Sequence, residues 1–269
     1  MKYKLVATDL DGTFLDGNGN ISKRNMEAIN MIREKGCIFT VITGRMYSSA
    51  KQYIDELQCR ELAGFYQGAV ITDTSDGNVI YRTTMKKSVC ESVYSDAVKR
   101  SLNIQAYADD KVYAEMYDEN TAFYEHMCRL RVNIVDSIEY IISSNDNVKL
   151  LINSDRGSVK RNIGFFMDKY SKETNVTQSG EHFIEFTHKD ANKGHALELI
   201  AHRYGIDRSE IIAFGDHMND ISMLQYAGTG VAMGNAPQNV KKYADIVAPP
   251  NTESGVAAVL EKLCLTDDI

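Results

Sequence analysis

Two aspartates near the amino terminus, Asp9 and Asp11, lie one residue apart and directly follow an apolar segment, residues 5–8. Such a segment is typical of a buried parallel strand, and open α/β sheets bind ligands at the carboxyl ends of their strands. On an extended backbone both carboxylates point to the same side, where they repel each other unless a proton or cation lies between them. A hard divalent ion would satisfy the pair. A simpler interpretation, a strand end followed by an Asp-Gly turn, is also open.

Three later segments carry further groups that could do chemistry. A predicted strand at 37–43 ends in the hydroxyl of Thr43, and Lys193 stands where a predicted helix, residues 193–204, begins. A predicted strand at 211–215 leads into a polar loop that contains Asp216, His217, Asn219 and Asp220. Taken singly, each has an ordinary explanation, because Thr, Asn and Asp are common helix caps and a lone Lys is usually solvated.

In their order along the chain, these four segments resemble the four motifs of the haloacid dehalogenase-like phosphatase superfamily. The likeness is to its Cof-type branch, subfamily IIB, which carries a large inserted cap. It covers both ends of the chain. One departure is Gln67-Gly68-Ala69, where the branch usually shows Asn-Gly-Ala. His217, at a variable position of the last motif, is expected to face solvent without a catalytic role.

The resemblance implies a set of catalytic residues. Asp9 holds the position of the family's nucleophile, which attacks phosphorus and forms an aspartyl phosphate. Asp11 holds the position of the acid that protonates the leaving alcohol and then deprotonates the hydrolytic water. Thr43 would bind a phosphoryl oxygen together with the backbone of Gly44. Lys193 would pair with both the nucleophile and the phosphate.

The same resemblance implies a magnesium site. Asp216, Asp9 and the main-chain carbonyl of Asp11 would ligate Mg²⁺, which prefers octahedral oxygen ligands and keeps several waters. Asn219 and Asp220 would complete the acidic loop, either as ligands or as supports behind the ligands. Capping of the following helix is the alternative role for these last two residues.

Alternating strands and helices at both ends of the chain predict an α/β fold with a Rossmann-like parallel sheet and right-handed crossovers. Residues 64–72 read as a third strand, broken at Gln67-Gly68. A different order of predicted elements, helix-strand-strand, occurs at 86–116 and again at 155–187. We therefore predict a discontinuous catalytic core, residues 1–83 and 189–269, interrupted by an α/β cap domain at 84–188.

Composition narrows the class of partner. The 269 residues are 43% hydrophobic and 25% charged, which are the proportions of a soluble globular protein. A net charge of −7 without a long basic run argues against nucleic acid, and no segment is apolar enough to predict a membrane span. Neither a signal peptide nor a CxxC pair is present, so we expect a cytoplasmic protein with reduced thiols.

The favoured function is magnesium-dependent hydrolysis of small phosphorylated metabolites. Sugar phosphates are the commonest class that the resemblance implies, followed by nucleotide and cofactor phosphates, and the protein is expected to be a monomer or weak homo-oligomer. A phosphomutase of the same fold is one alternative, and a catalytically silent metabolite-binding or regulatory protein is another. The intact motif residues argue against the silent protein.

Overall fold

The computed structural model describes residues 2–144 and 147–265. The strands are β1 Leu5–Thr8, β2 Ile38–Val41, β3 Leu62–Phe65, β4 Val70–Asp73, β5 Val79–Arg82, β6 Ile104–Ala108, β7 Lys111–Ala114, β8 Val132–Ile134, β9 Lys149–Asn153, β10 Thr174–Thr177, β11 Phe183–His188, β12 Ile211–Gly215, β13 Thr229–Ala232 and β14 Ile246–Val247. The helices are α1 Lys23–Glu34, α2 Tyr47–Glu56, α3 Lys87–Lys99, α4 Glu119–Cys128, α5 Glu139–Ser144, α6 Arg156–Tyr170, α7 Lys193–Tyr204, α8 Ile221–Tyr226, α9 Gln238–Lys241 and α10 Gly255–Leu260.

The chain divides into two compact units. The first combines the segments Met1–Gly44, Gln52–Tyr81 and Asn192–Ile269, and the second combines Arg45–Lys51 with Arg82–Ala191. Each unit contains its own β-sheet and its own hydrophobic core. Among the described residues, no helix is long and apolar enough to cross a bilayer.

A five-stranded parallel sheet organises the first unit, in the strand order β14-β13-β12-β1-β2. This confirms the predicted α/β fold with a parallel sheet. Thr8 at the end of β1 lies beside Phe214 of β12 and Val41 of β2. Because the strands are parallel and end together, the residues that follow them meet at one edge of the sheet. Asp9 and Asp216 are two of those residues.

Helix α7 is fixed against this sheet by its apolar face. Its buried residues Ala196, Leu197 and Ile200 belong to the same apolar cluster as residues of β1 and β12. Burying each large aliphatic side chain stabilises the packing by roughly 1.5–3 kcal/mol. The Asn192 side chain caps the helix by accepting a hydrogen bond from the His195 amide at 2.8 Å. The predicted helix 193–204 is confirmed, and its start is capped.

The predicted third strand at 64–72 is only partly right, because the chain reverses direction at the predicted break. Leu62–Phe65 and Val70–Asp73 are two antiparallel strands that form a three-stranded sheet with β5, and Gly64 of β3 also makes an isolated parallel bridge to Ile42, the residue after β2. The reversal occurs at Tyr66, Gln67 and Gly68, whose φ angles are +53°, +61° and +90°. Both strands are largely buried, so the apolar pattern alone resembled one strand with an interruption.

The second unit is built on a six-stranded sheet in the order β10-β11-β9-β6-β7-β8. Both predicted hairpins are present as the antiparallel pairs β6/β7 and β10/β11, and each follows a helix, α3 and α6 respectively. The β6/β7 turn uses left-handed backbone at Asp109 and Asp110 (φ +51° and +54°). Helices α3, α5 and α6 pack on one face of the sheet through a cluster that includes Val93, Ile142 and Phe166.

Candidate active site

Asp9 follows β1 directly, and its amide donates a hydrogen bond to the Phe214 carbonyl of β12 at 3.1 Å. Its side chain is buried and makes no hydrogen bond that caps the turn after it. Strand β1 ends at Thr8, so the backbone of Asp9 and Asp11 is not one extended strand. Asp11 lies exposed in the turn Leu10–Phe14, and its charge still helps to raise the pKa of Asp9.

Lys193 is the cation at the centre of the site. It is 0% exposed, and its Nζ lies 2.9 Å from Asp9 Oδ1 and 2.6 Å from Asp220 Oδ1. The solvated alternative for this lysine is therefore wrong. Burial lowers its pKa, but the attraction of Asp220 and Asp9 outweighs burial and raises the pKa above its usual value. Lys193 is thus charged throughout the physiological range.

Burial has the opposite consequence for Asp9. It raises the pKa of Asp9 to about 8; Lys193 opposes the shift, whereas the charges of Asp220 and Asp11 add to it. One cation faces several carboxylates, so negative charge is in excess. The ionised form of Asp9 would be favoured by a further positive charge.

Asp220 anchors the loop that follows β12. Its Oδ2 accepts hydrogen bonds from the amides of Asp216 and His217, each at 2.9 Å, while its Oδ1 contacts Lys193. A Cβ at Gly215 would lie 2.4 Å from the Asp220 Cβ, so only glycine allows this approach. Asp220 makes no capping hydrogen bond to α8 itself. Its bond from the His217 amide nevertheless belongs to a capping box at the short helical turn Met218–Asp220 that leads into α8, so the capping role is confirmed beside the contact with Lys193. His217 is exposed, as predicted.

Asp216 is oriented by the first motif. The buried Thr13 hydroxyl donates a hydrogen bond to Asp216 Oδ1 at 2.7 Å. Gly12 has a φ of +74°, and a Cβ there would lie 2.4 Å from Asp216 Oδ2. Burial raises the pKa of Asp216, with Thr13 opposing the shift. No role was predicted for Thr13, although a hydroxyl directly after two aspartates and a glycine was the available signal.

Three carboxylates converge where a cation could bind. Asp9, Asp216 and Asp220 each offer an oxygen, and these oxygens lie within 4.8 Å of one another. Asp220 already uses both oxygens, whereas Asn219 Oδ1 is buried and accepts no hydrogen bond from any described residue. A buried acceptor without a donor is costly unless a cation or water satisfies it. The set of oxygen donors fits a hard divalent cation.

Thr43 lies beside the same edge of the sheet. It is 1% exposed, its amide donates to the Gly64 carbonyl at 2.9 Å, and its carbonyl accepts from the Gln67 amide at 3.0 Å. Helix α2 begins at Tyr47, so Thr43 is not at the N-cap position of that helix. A Cβ at Gly44 would lie 2.4 Å from Gln67 Nε2, so this glycine leaves room for the Gln67 side chain.

The family model of haloacid dehalogenase-like hydrolases matches residues 6–260. The chain belongs to this family. Two 5-amino-6-(5-phospho-D-ribitylamino)uracil phosphatases of Bacillus subtilis, YwtE and YitU, are similar to it. YwtE is 30% identical, covering 97% of this chain and 98% of its own length. YitU is 29% identical and covers 97% of both chains. The crystal structure of a haloacid dehalogenase-like hydrolase from Bacteroides thetaiotaomicron gives a TM-score of 0.89 at 29% identity, over 97% of this chain and 99% of that chain.

The resemblance noted from the motifs is thereby confirmed. This haloacid dehalogenase-like hydrolase is a phosphatase, a phosphoric monoester hydrolase that acts on a small phosphorylated substrate.

In this hydrolase, residues far apart in sequence meet at one site. The Lys193 ammonium contacts the carboxyl groups of both Asp9 and Asp220, and the three residues form a buried triad. A Cβ at Gly194 would lie 2.5 Å from the Ser222 carbonyl oxygen, so Gly194 allows α7 to approach α8 closely beside that triad. The Gly194 amide also donates to the Ser222 hydroxyl at 3.0 Å. Ser222 was not singled out from the sequence, because its position gave no sign of this contact.

Proposed function

We propose that this phosphatase hydrolyses small phosphate monoesters through an aspartyl phosphate on Asp9, with Mg²⁺ as its cofactor. The observation that supports this most directly is the buried contact between Asp9 and the Lys193 ammonium at 2.9 Å. A buried carboxylate next to a fixed cation, at the edge of a sheet where ligands bind, has the position of a nucleophile rather than of a capping residue.

The reaction has two displacements. In the first, a carboxylate oxygen of Asp9 attacks phosphorus, the bond to the alcohol oxygen breaks, and Asp11 gives that oxygen its proton. In the second, Asp11 takes a proton from water, the water oxygen attacks phosphorus, and the bond to Asp9 breaks. Phosphate leaves and both aspartates return to their starting state. Assistance by a group such as Asp11 typically contributes ~10²–10⁴ in rate.

The other motif residues neutralise and orient the phosphoryl group. We assign Lys193 to a phosphoryl oxygen as well as to Asp9, and we assign the Thr43 hydroxyl and the Gly44 backbone to the remaining oxygens. These donors stabilise the negative charge on the phosphoryl group while it is transferred. Catalysis of phosphoryl transfer consists mainly of such positioning and charge stabilisation.

For the metal, we propose Asp9, Asp216 and the carbonyl of Asp11 as ligands. When bound, Mg²⁺ would reduce the charge repulsion between the phosphate and the aspartates and favour the ionised form of Asp9. Asp220 has both oxygens engaged, so we assign it to support the loop. Asn219 Oδ1 is a further buried acceptor in this loop, to which no group among the described residues donates.

For the substrate, we propose a phosphorylated sugar or sugar alcohol. The Bacillus subtilis relatives act on 5-amino-6-(5-phospho-D-ribitylamino)uracil, in which the phosphate is carried by a ribityl chain. We also propose that residues 84–188 are the cap that selects the substrate, as the Cof-type resemblance implies.

The test is phosphate release from a panel of phosphorylated sugars, sugar alcohols, nucleotides and cofactors, with magnesium and with a chelator. We expect release that requires magnesium and is abolished in Asp9→Asn. The matched control is Asp76→Asn, which changes an exposed aspartate and should leave the rate unchanged. If the folded protein binds magnesium but releases phosphate from no compound, a phosphomutase or a silent binding protein becomes the better hypothesis.

A further inference from the structure

The turn between β3 and β4 adopts an unusual backbone conformation. Tyr66 and Gln67 are both in the left-handed region, and neither is glycine. Each such residue costs roughly 1–2 kcal/mol, and strained backbone of this kind persists only where its surroundings enforce it. Here the backbone N–H of Gln67 donates a hydrogen bond to the Thr43 carbonyl at 3.0 Å. At Gly68, a Cβ would lie 2.6 Å from the Asn192 carbonyl oxygen, so the turn is packed tightly against the residue that caps α7.

This backbone directs the Gln67 side chain between two motifs. Its Nε2 lies next to Gly44, in space that a larger side chain at 44 would need. Its Oε1 accepts a hydrogen bond from Asn219 Nδ2 at 2.8 Å. Gln67 thus joins the Thr43-Gly44 segment to the loop that carries Asp216 and Asp220.

The contact fixes the orientation of the Asn219 amide. Two carboxamides in contact must pair an N–H with an oxygen, so the orientation of one determines that of the other. With Nδ2 given to Gln67, Asn219 keeps Oδ1 as its acceptor, and this oxygen is buried and receives no hydrogen bond from the part of the chain that the structure describes. A cation or a water molecule bound to it would satisfy that oxygen, whereas the opposite orientation would present an N–H group that repels a cation.

We propose that Gln67 is a positioning residue for the cation site: it holds the Asn219 amide so that Oδ1 is available to the metal or to a water on the metal. The inference rests on the proposed function only in requiring a divalent cation at the acidic cluster. Partners behind the ligands commonly change metal affinity 10–100-fold, and we expect an effect in that range.

The experiment is a magnesium titration by calorimetry on the full chain. Gln67→Leu keeps the approximate size of the side chain but removes the acceptor, and it should weaken magnesium binding at least tenfold. Gln67→Glu keeps an acceptor at the same distance and should bind magnesium at least as tightly as the wild type. The matched control is Gln58→Leu, because Gln58 is also left-handed (φ +49°) but exposed and outside the site, and its affinity should be unchanged.

A double-mutant cycle tests whether Gln67 acts through Asn219. If it does, Gln67→Leu combined with Asn219→Leu should bind magnesium no more weakly than Asn219→Leu alone. In the activity assay, saturating magnesium should restore kcat in Gln67→Leu with KM for substrate unchanged, which a general packing defect would not allow.

Several outcomes would overturn the inference. They are unchanged affinity in Gln67→Leu, equal loss in Gln67→Glu, additive losses in the cycle, and a wild type that does not bind magnesium. Because affinity is read without turnover, a wild type that binds magnesium but releases no phosphate would refute the proposed function while the cycle still decides the role of Gln67.

Discussion

Replacing Lys193 by Met should be among the most destabilising single changes in the first unit. Methionine keeps much of the length and apolar stem of the side chain but removes the charge that Asp9 and Asp220 face. Both lysine and Asp220 side chains are 0% exposed, so solvent cannot take over the lost interaction. Removing one partner of a buried ion pair typically costs about 3–5 kcal/mol, because the other charge stays buried without compensation. We expect a loss in that range.

A second substitution shows whether the uncompensated charge is the cause. Asp220→Asn removes one of the charges that Lys193→Met leaves uncompensated, and the asparagine oxygen can still accept from the amides of Asp216 and His217. The double variant Lys193→Met, Asp220→Asn should therefore be less destabilised than the sum of the single variants, with an interaction of about 1–3 kcal/mol.

The assay is urea unfolding at pH 8 with a chelator, followed by far-UV circular dichroism because the chain has no tryptophan. Two compact units can unfold separately, so the transition of the first unit must be resolved before free energies are compared. Lys23→Met is the control: Lys23 is 90% exposed, and its loss should not shift the midpoint. A Lys193→Met protein as stable as the wild type, or strictly additive single effects, would refute the reasoning.

Short-range patterns predicted which strand ends meet, whereas the pairing of Lys193 with Asp9 was implied by the family resemblance. The apolar runs before Asp9, Thr43 and Asp216 end in a polar residue, and parallel pairing brings such ends together. The helix that starts at Lys193 was also predicted to the residue from its apolar face. In the structure Asn192 caps its start and the left-handed Gly205 ends it.

The division of labour within the last motif could not be predicted. Asp216, Asn219 and Asp220 are all oxygen-bearing residues in one loop, and the sequence does not tell which oxygens point inward. Asp220 Oδ2 accepts from two amides of its own loop, and Oδ1 contacts Lys193 because α7 brings the ammonium there. The role of Gln67 was likewise hidden, since it depends on a turn whose two flanking strands are too apolar to be distinguished from one strand.

Two further changes test the site through stability as well as activity. Burial raises the pKa of Asp9 in the folded state to about 8 from the ordinary 3.8. Between these pH values the folded state keeps a proton that the unfolded chain loses. The metal-free wild type should therefore lose stability as pH rises from about 4 towards 8. Melting curves of Asp9→Asn in chelator should show a weaker decline over that range, and an identical decline would contradict the assignment. Gly194→Ala places a Cβ 2.5 Å from the Ser222 carbonyl oxygen, so the first turn of α7 must move. This should lower the free energy of unfolding by about 1–3 kcal/mol. It should also reduce kcat, because Lys193 lies in that turn. Its control is Gly164→Ala in α6, where a Cβ meets nothing within 4 Å and the higher helix propensity of alanine should stabilise the protein by about 0.5–1 kcal/mol. If both alanine variants change unfolding and turnover equally, close packing at Gly194 is not what positions Lys193.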